Sequence, residues 1–221
     1  MAELVLVRHA QASFGSDDYD RLSELGWRQS RWLGEHFAER KLAFDRVVRG
    51  TLRRHVETLA GIGEGMGVAN PACEERPGLN EYDSLALLRA HTGKEVRHQR
   101  GDQREHFRVL REALYAWCDG SLACGDELSF KNFRAGVLQA LEAARAGGAR
   151  RVLVVSSGGP ISTIVAEVLK MPMRGVVELN LRARNTGISE FHFNERGIHC
   201  VSFNGVPHLD RPDRPNAITY A

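Results

Sequence analysis

Arg8 and His9 stand at the end of the apolar run Leu4-Val5-Leu6-Val7, and their side chains could do chemistry on an anion. The guanidinium of an arginine presents a rigid fork of donors suited to phosphate or carboxylate. An imidazole can serve as base, acid or nucleophile near neutral pH. Three further stretches carry groups of the same kind. Arg53-Arg54-His55 opens an apolar-periodic segment, where helix N–H groups and the helix dipole already favour anions. Cations there imply either an anion site or a solvated basic patch. Glu81, between Leu79 and Tyr82, is either a partly desolvated carboxylate suited to general acid work or a surface glutamate. Ser156-Ser157-Gly158-Gly159-Pro160 follows a second apolar run, Val152 to Val155. The glycines and the Pro at the first helical position suit a tight strand-to-helix turn. That turn is either a second anion cradle or a packing turn. It lacks the Gly-x-x-x-x-Gly-Lys spacing of a Walker loop.

These groups need elements to hold them. The Leu4–Val7 and Val152–Val155 runs read as strands buried on both faces, the pattern of central parallel strands. Such sheets place ligands beyond the carboxyl ends of their strands, where His9 and Ser157 fall. Ser23 caps a predicted helix over roughly 23–40, with Leu25, Trp32, Leu33 and Phe37 at helical spacing. Phe44 to Arg49 reads as a strand, Leu52 to Ile62 as a helix, and 63–78 as mostly loop. Phe107, Leu110, Leu114 and Trp117 predict an amphipathic helix over 103–118, with Glu105, Arg108 and Glu112 paired along its wet face. A second reading makes the arginines of 97–111 a basic lid over a negative substrate. A helix over about 130–146 stops at Gly147-Gly148, and another runs from Ile161 to Leu169. Val176 to Leu181, Ile188 to Phe193 and His199 to Phe203 read as strands, and the stretch from Val206 as an irregular arm.

The predicted fold class is α/β: a three-layer α/β/α sandwich with a mostly parallel central sheet and an antiparallel edge strand. Residues 1–221 are expected to form one domain, with 84–130 a mainly helical insertion over the active-site end. The net charge of +2 argues against a general nucleic-acid binder. The four cysteines match no metal or disulfide pattern and suit a cytoplasmic protein. A strand beginning at residue 4 leaves no room for a leader peptide, and no apolar run approaches membrane-spanning length.

Together the stretches resemble one family. Leu6-Val7-Arg8-His9-Ala10 looks like the signature of the histidine phosphatase superfamily, also called phosphoglycerate-mutase-like. Arg54 followed by Thr58 matches its second arginine element, and Leu79-Asn80-Glu81 matches its acidic element. The strand–Ser–x–Gly turn at 155–158 matches its last element, and Asn204 to Leu209 is similar to a common tail. The resemblance runs nearly full length and is closest to bacterial broad-specificity phosphatases and phosphoglycerate mutases. It implies that His9 attacks phosphorus, that Arg8, Arg54, Ser157 and Gly158 bind the phosphoryl group, and that Glu81 is the general acid. It implies no metal and no cofactor, and a small phosphorylated metabolite as partner. The sequence leaves the oligomeric state open, a homodimer included.

One departure matters. The last element usually reads Ser-His-Gly, whereas here Ser157 stands where a second cationic donor would be. The glycine amides, Ser157 itself or His55 are candidates to compensate. The resemblance therefore implies a phosphatase acting through phosphohistidine. The alternatives are a phosphoglycerate-mutase-type phosphomutase and a catalytically weakened phospholigand-binding protein. Ala10, where glycine is commoner, is a minor departure.

Overall fold

The structure, a computed structural model, describes residues 1–13, 20–95 and 103–220. The first strand, β1 (Ala2–Arg8), is followed by helix α1 (Glu24–Glu39), β2 (Arg46–Arg49), α2 (Arg53–Met66) and the short β3 (Glu74–Glu75). A 3-10 turn at Pro77–Leu79 leads to α3 (Ser84–Thr92), α4 (Gln103–Cys118) and α5 (Phe130–Arg145). The chain ends with β4 (Arg151–Ser156), α6 (Gly158–Val168), α7 (Arg174–Asn180), β5 (Ile188–Asn194) and β6 (Gly197–Gly205).

The six strands form one sheet in the order β3-β2-β4-β1-β5-β6. The pairs β3–β2, β2–β4 and β4–β1 are parallel, while β5 and β6 add an antiparallel edge. The two four-residue apolar runs are the two central strands, and the pleat divides their side chains between layers. Leu4 and Leu6 pack with Val152 and Val154 against Val137 and Leu141 of α5 and Ile161 and Ile164 of α6. Val5 and Val7 pack with Leu153 and Val155 against Leu33 and Phe37 of α1 and Leu59 and Ile62 of α2. This is the three-layer α/β arrangement that the alternating elements predict. Each fully buried Leu, Val, Ile or Phe in it contributes about 1.5–3 kcal/mol.

Ser23 caps α1 as expected, its hydroxyl accepting the Gly26 N–H at 3.0 Å. The helix opened by Arg53 runs four residues past Ile62 to Met66 and is capped by Gly67, whose left-handed φ of 73° favours a residue without Cβ. Two expectations fail. α6 begins at Gly158, so Pro160 is its third residue and not its first. Val176 to Leu181 is not a strand; residues 174–180 form α7. Val176 and Val177 bury against Leu87, Leu114 and Trp117, while Glu178 binds Arg182 one turn on. Tertiary burial of a short apolar run overrides the β propensity of its valines. On α4, Arg108 pairs with Glu105 at 2.6 Å and Glu112 at 2.7 Å with 59% of its side chain exposed, so this face is wet as the charge pattern predicts. Arg97 and Arg100 lie outside the described residues. Cys73, Cys118, Cys124 and Cys200 are all free thiols. Among the described residues no helix is long and apolar enough to cross a membrane.

Candidate active site

β1 and β4 run side by side in the register Arg8↔Ser156, so the residues just past their ends, His9 and Ser157, emerge together. The His9 N–H donates to the Ser156 carbonyl at 2.8 Å, and the Ala10 N–H donates to Thr58 Oγ1 at 3.0 Å. Thr58 Oγ1 in turn donates to the Arg54 carbonyl at 2.6 Å. The Arg-x-x-x-Thr spacing thus places the first turn of α2 against the end of β1. Thr58 lies one turn past Arg54 on the same face.

His9 is 4% exposed, and its Nδ1 lies 2.8 Å from the Ala10 carbonyl. A carbonyl can only accept, so Nδ1 carries the proton and Nε2 keeps its lone pair. Burial, then Arg54 and Arg8, holds the imidazole well below its usual pKa, so the ring is neutral at physiological pH. Arg54 is 7% exposed and its Nη1 lies 2.6 Å from Asp20 Oδ1. Arg8 Nη1 donates to the carbonyls of Ala183 and Tyr220, which tie the C-terminal arm to the end of β1.

Glu81 lies over the start of α6. The Gly159 N–H donates to its carboxylate at 3.1 and 3.3 Å. Burial raises its pKa, and Arg54, Arg8 and the Gly159 N–H oppose the rise without cancelling it. Both glycines of the turn let polar side chains approach closely. A Cβ on Gly159 would lie 2.2 Å from Glu81 Oε1, and one on Gly158 would lie 2.3 Å from Asn180 Oδ1. Asn180 also donates to the Tyr82 hydroxyl at 2.8 Å. Ser157 is fully buried, and its Oγ lies 2.8 Å from Nε2 of His55.

The residues predicted as a site, Arg8, His9, Arg54, Glu81, Ser157 and Gly158, therefore converge at the carboxyl edge of the central strands. The arginines lie close enough to shift the proton affinity of both His9 and Glu81. Reading the sequence missed the groups behind them. Asn185 donates to the His9 carbonyl at 3.1 Å, and the Thr186 N–H donates to the Arg8 carbonyl at 3.1 Å. Thr186 does so at a φ of 54°, a left-handed conformation costly for a β-branched residue. The sequence signals only a turn there. Asp20 carries no local signal. Among the described residues no three His, Cys, Asp or Glu side chains group as metal ligands.

The arrangement brings together a neutral imidazole, two cations, a carboxyl group with raised pKa and a helix N-terminus. Comparisons with known proteins bear on the family and the fold. The model of the histidine phosphatase superfamily, branch 1, matches residues 4–205. No curated protein matches the chain. Among solved structures, a phosphoserine phosphatase of Entamoeba histolytica in complex with 3-phosphoglyceric acid is 20% identical, with a TM-score of 0.65 over 95% of this chain and 100% of that one. The alpha-ribazole phosphatase of Shigella flexneri is 20% identical, with a TM-score of 0.64 over 92% and 96%. YhfR of Bacillus stearothermophilus is 18% identical, with a TM-score of 0.70 over 94% and 99%. At these identities the three show a shared fold.

Proposed function

The chain belongs to the histidine phosphatase superfamily, and from that we propose that it hydrolyses small phosphate monoesters through a phosphohistidine on His9. The observation that carries the proposal is the pairing of two oppositely tuned groups. Burial and cations keep His9 neutral with its Nε2 lone pair available, while burial raises the pKa of Glu81 towards a proton-holding acid. The similar phosphoserine phosphatase and alpha-ribazole phosphatase point the same way.

In the first step His9 Nε2 forms a bond to phosphorus and the ester P–O bond breaks. The departing alkoxide takes the proton of Glu81. In the second step the Glu81 carboxylate takes a proton from water, the water oxygen bonds to phosphorus, and the P–N bond breaks. Inorganic phosphate leaves and both side chains return to their starting states. Arg8 and Arg54, with Ser157 and the Gly158 amide, hold the equatorial oxygens. Phosphoryl transfer depends chiefly on such positioning and charge stabilisation. The substrate we propose is a small phosphorylated metabolite, in the cytoplasm, with no nucleic-acid or membrane partner.

Turnover of p-nitrophenyl phosphate, with intact-mass detection of a phosphoprotein after alkaline quench, tests the proposal. Turnover with a phosphorylated species absent in His9→Ala is expected. Vanadate or phosphate binding with neither phosphoprotein nor turnover, across a panel of sugar and glycolytic phosphates, would replace the phosphatase by a phospholigand-binding protein.

A further inference from the structure

Ser157 caps α6, yet its side chain makes no capping hydrogen bond. A serine at this position ordinarily turns its oxygen to the free N–H groups of the first turn. Here the oxygen faces His55 Nε2 at 2.8 Å instead. Both residues are completely buried. The His55 ring centroid lies 5.8 Å from that of His9, so the pair borders the nucleophile. Room is made for the imidazole by Gly50, since a Cβ there would lie 2.2 Å from His55 Nδ1.

The proton on this imidazole can be placed. Burial, with Arg54 and Arg49 nearby, keeps His55 well below its usual pKa and hence neutral, with one N–H. Nδ1 has no hydrogen-bond partner among the described residues. A proton there would be a buried N–H with no acceptor, an arrangement rarer in folded proteins than an unpaired lone pair. The proton belongs on Nε2, which then donates to Ser157 Oγ. The hydroxyl hydrogen of Ser157 is left to donate elsewhere.

We infer that His55 is a positioning residue that acts through Ser157, its Nε2–H fixing the serine oxygen so that the serine hydroxyl donates to a phosphoryl oxygen. The short neutral side chain at 157 becomes an aligned, polarised donor, and the imidazole supporting it comes from α2 instead of the β4–α6 turn. Hydrogen bonds in such a chain polarise one another. The inference rests on the phosphatase reading.

The test compares wild type, Ser157→Ala, His55→Phe, His55→Gln and the Ser157→Ala/His55→Phe double variant on p-nitrophenyl phosphate, with active sites counted by burst amplitude. Removing one donor to a developing oxyanion costs about 10²-fold in kcat. That loss is expected in Ser157→Ala and His55→Phe, with KM changed far less. The double variant should be no slower than the slower single one, because both remove one interaction. His55→Gln, whose amide can donate to Ser157, should recover much of the rate. Multiplying losses, or a His55→Phe rate per active site equal to wild type, would overturn the inference.

If His55→Phe does not fold, ¹⁵N-histidine NMR of the wild type decides. The Nε2–H tautomer should persist between about pH 5 and 8, and an Nδ1–H tautomer would refute the relay. Wild type that forms no phosphoenzyme removes the phosphatase reading itself. Wild type that forms one while the variants match it removes only the role of His55.

Discussion

Asp20 Oδ1 lies 2.6 Å from Arg54 Nη1, and the other oxygen of the same carboxylate accepts the Arg53 N–H at 2.7 Å. The first turn of α2, where the cations left an anion site and a solvated basic patch both open, thus holds a carboxylate of the chain itself. Asp20 therefore places a negative charge on the arginine proposed to grip the phosphoryl group.

An incoming phosphoryl dianion must share Arg54 with that charge. Asp20→Asn keeps the shape and removes the repulsion, which for a partly exposed pair amounts to about 1 kcal/mol or less. Vanadate inhibition of p-nitrophenyl phosphate turnover is expected to tighten a few-fold in Asp20→Asn. Unchanged or weaker inhibition would show that Asp20 orients Arg54 and does not compete for it.

The proton on Glu81 should be visible in the choice of leaving group. Because burial raises its pKa, Glu81 holds its proton to a higher pH than an ordinary glutamate. With an alkyl phosphate, kcat/KM is expected to fall as pH rises through that raised value, where the acid is lost. His9 must be neutral to attack, and its depressed pKa keeps the acidic limb well below neutrality. Glu81→Gln should abolish the alkaline limb and slow the alkyl ester far more than p-nitrophenyl phosphate, whose phenolate departs without a proton. Equal lowering of kcat/KM for both esters would take Glu81 out of the acid role.

Acid stability should report on buried histidines. His208, 1% exposed, lies 2.8 Å from Thr186 Oγ1 and is pushed down to about 3 by burial, with His36 and Arg214 adding to the effect. A depressed folded pKa leaves stability intact above the unfolded value, about 6.5. Below it the unfolded chain binds the extra proton, so stability falls from about pH 6.5 towards the folded value. His9 and His55 are lowered too and steepen the same window. In urea melts across this range, His208→Gln should reduce the slope by up to one proton, about 1.4 kcal/mol per pH unit. An unaltered slope would mean that His208 is already protonated in the folded chain.

The fold was legible wherever a single physical signal dominated. Four-residue apolar runs can be satisfied only in the middle of a covered sheet, and both are central strands. The amphipathic helices, the Ser23 cap and the strand-to-helix turn at Ser157 follow from side-chain spacing and backbone chemistry. Residues 176–181 misled because their valines favour a strand locally, whereas the apolar surface of Leu87, Leu114 and Trp117 offers a helix more burial.

For the site, the sequence by itself determined the candidate groups: Arg8, His9, Arg54, Glu81 and the Ser157–Gly158 turn stand at strand and helix ends, where side chains can meet a ligand. It also exposed the absence of a second histidine in the last motif. Only the tertiary structure decided what those groups face. The β1–β4 register brings His9 and Ser157 together, α2 then sets His55 behind Ser157, and a distant loop lays Asp20 on Arg54. Burial and charge, which set the proton on each imidazole and on Glu81, depend on neighbours far away in sequence, such as His55 and Ser157 with a separation of 102. No local pattern carries that information, because hydrogen bonding and desolvation act through space.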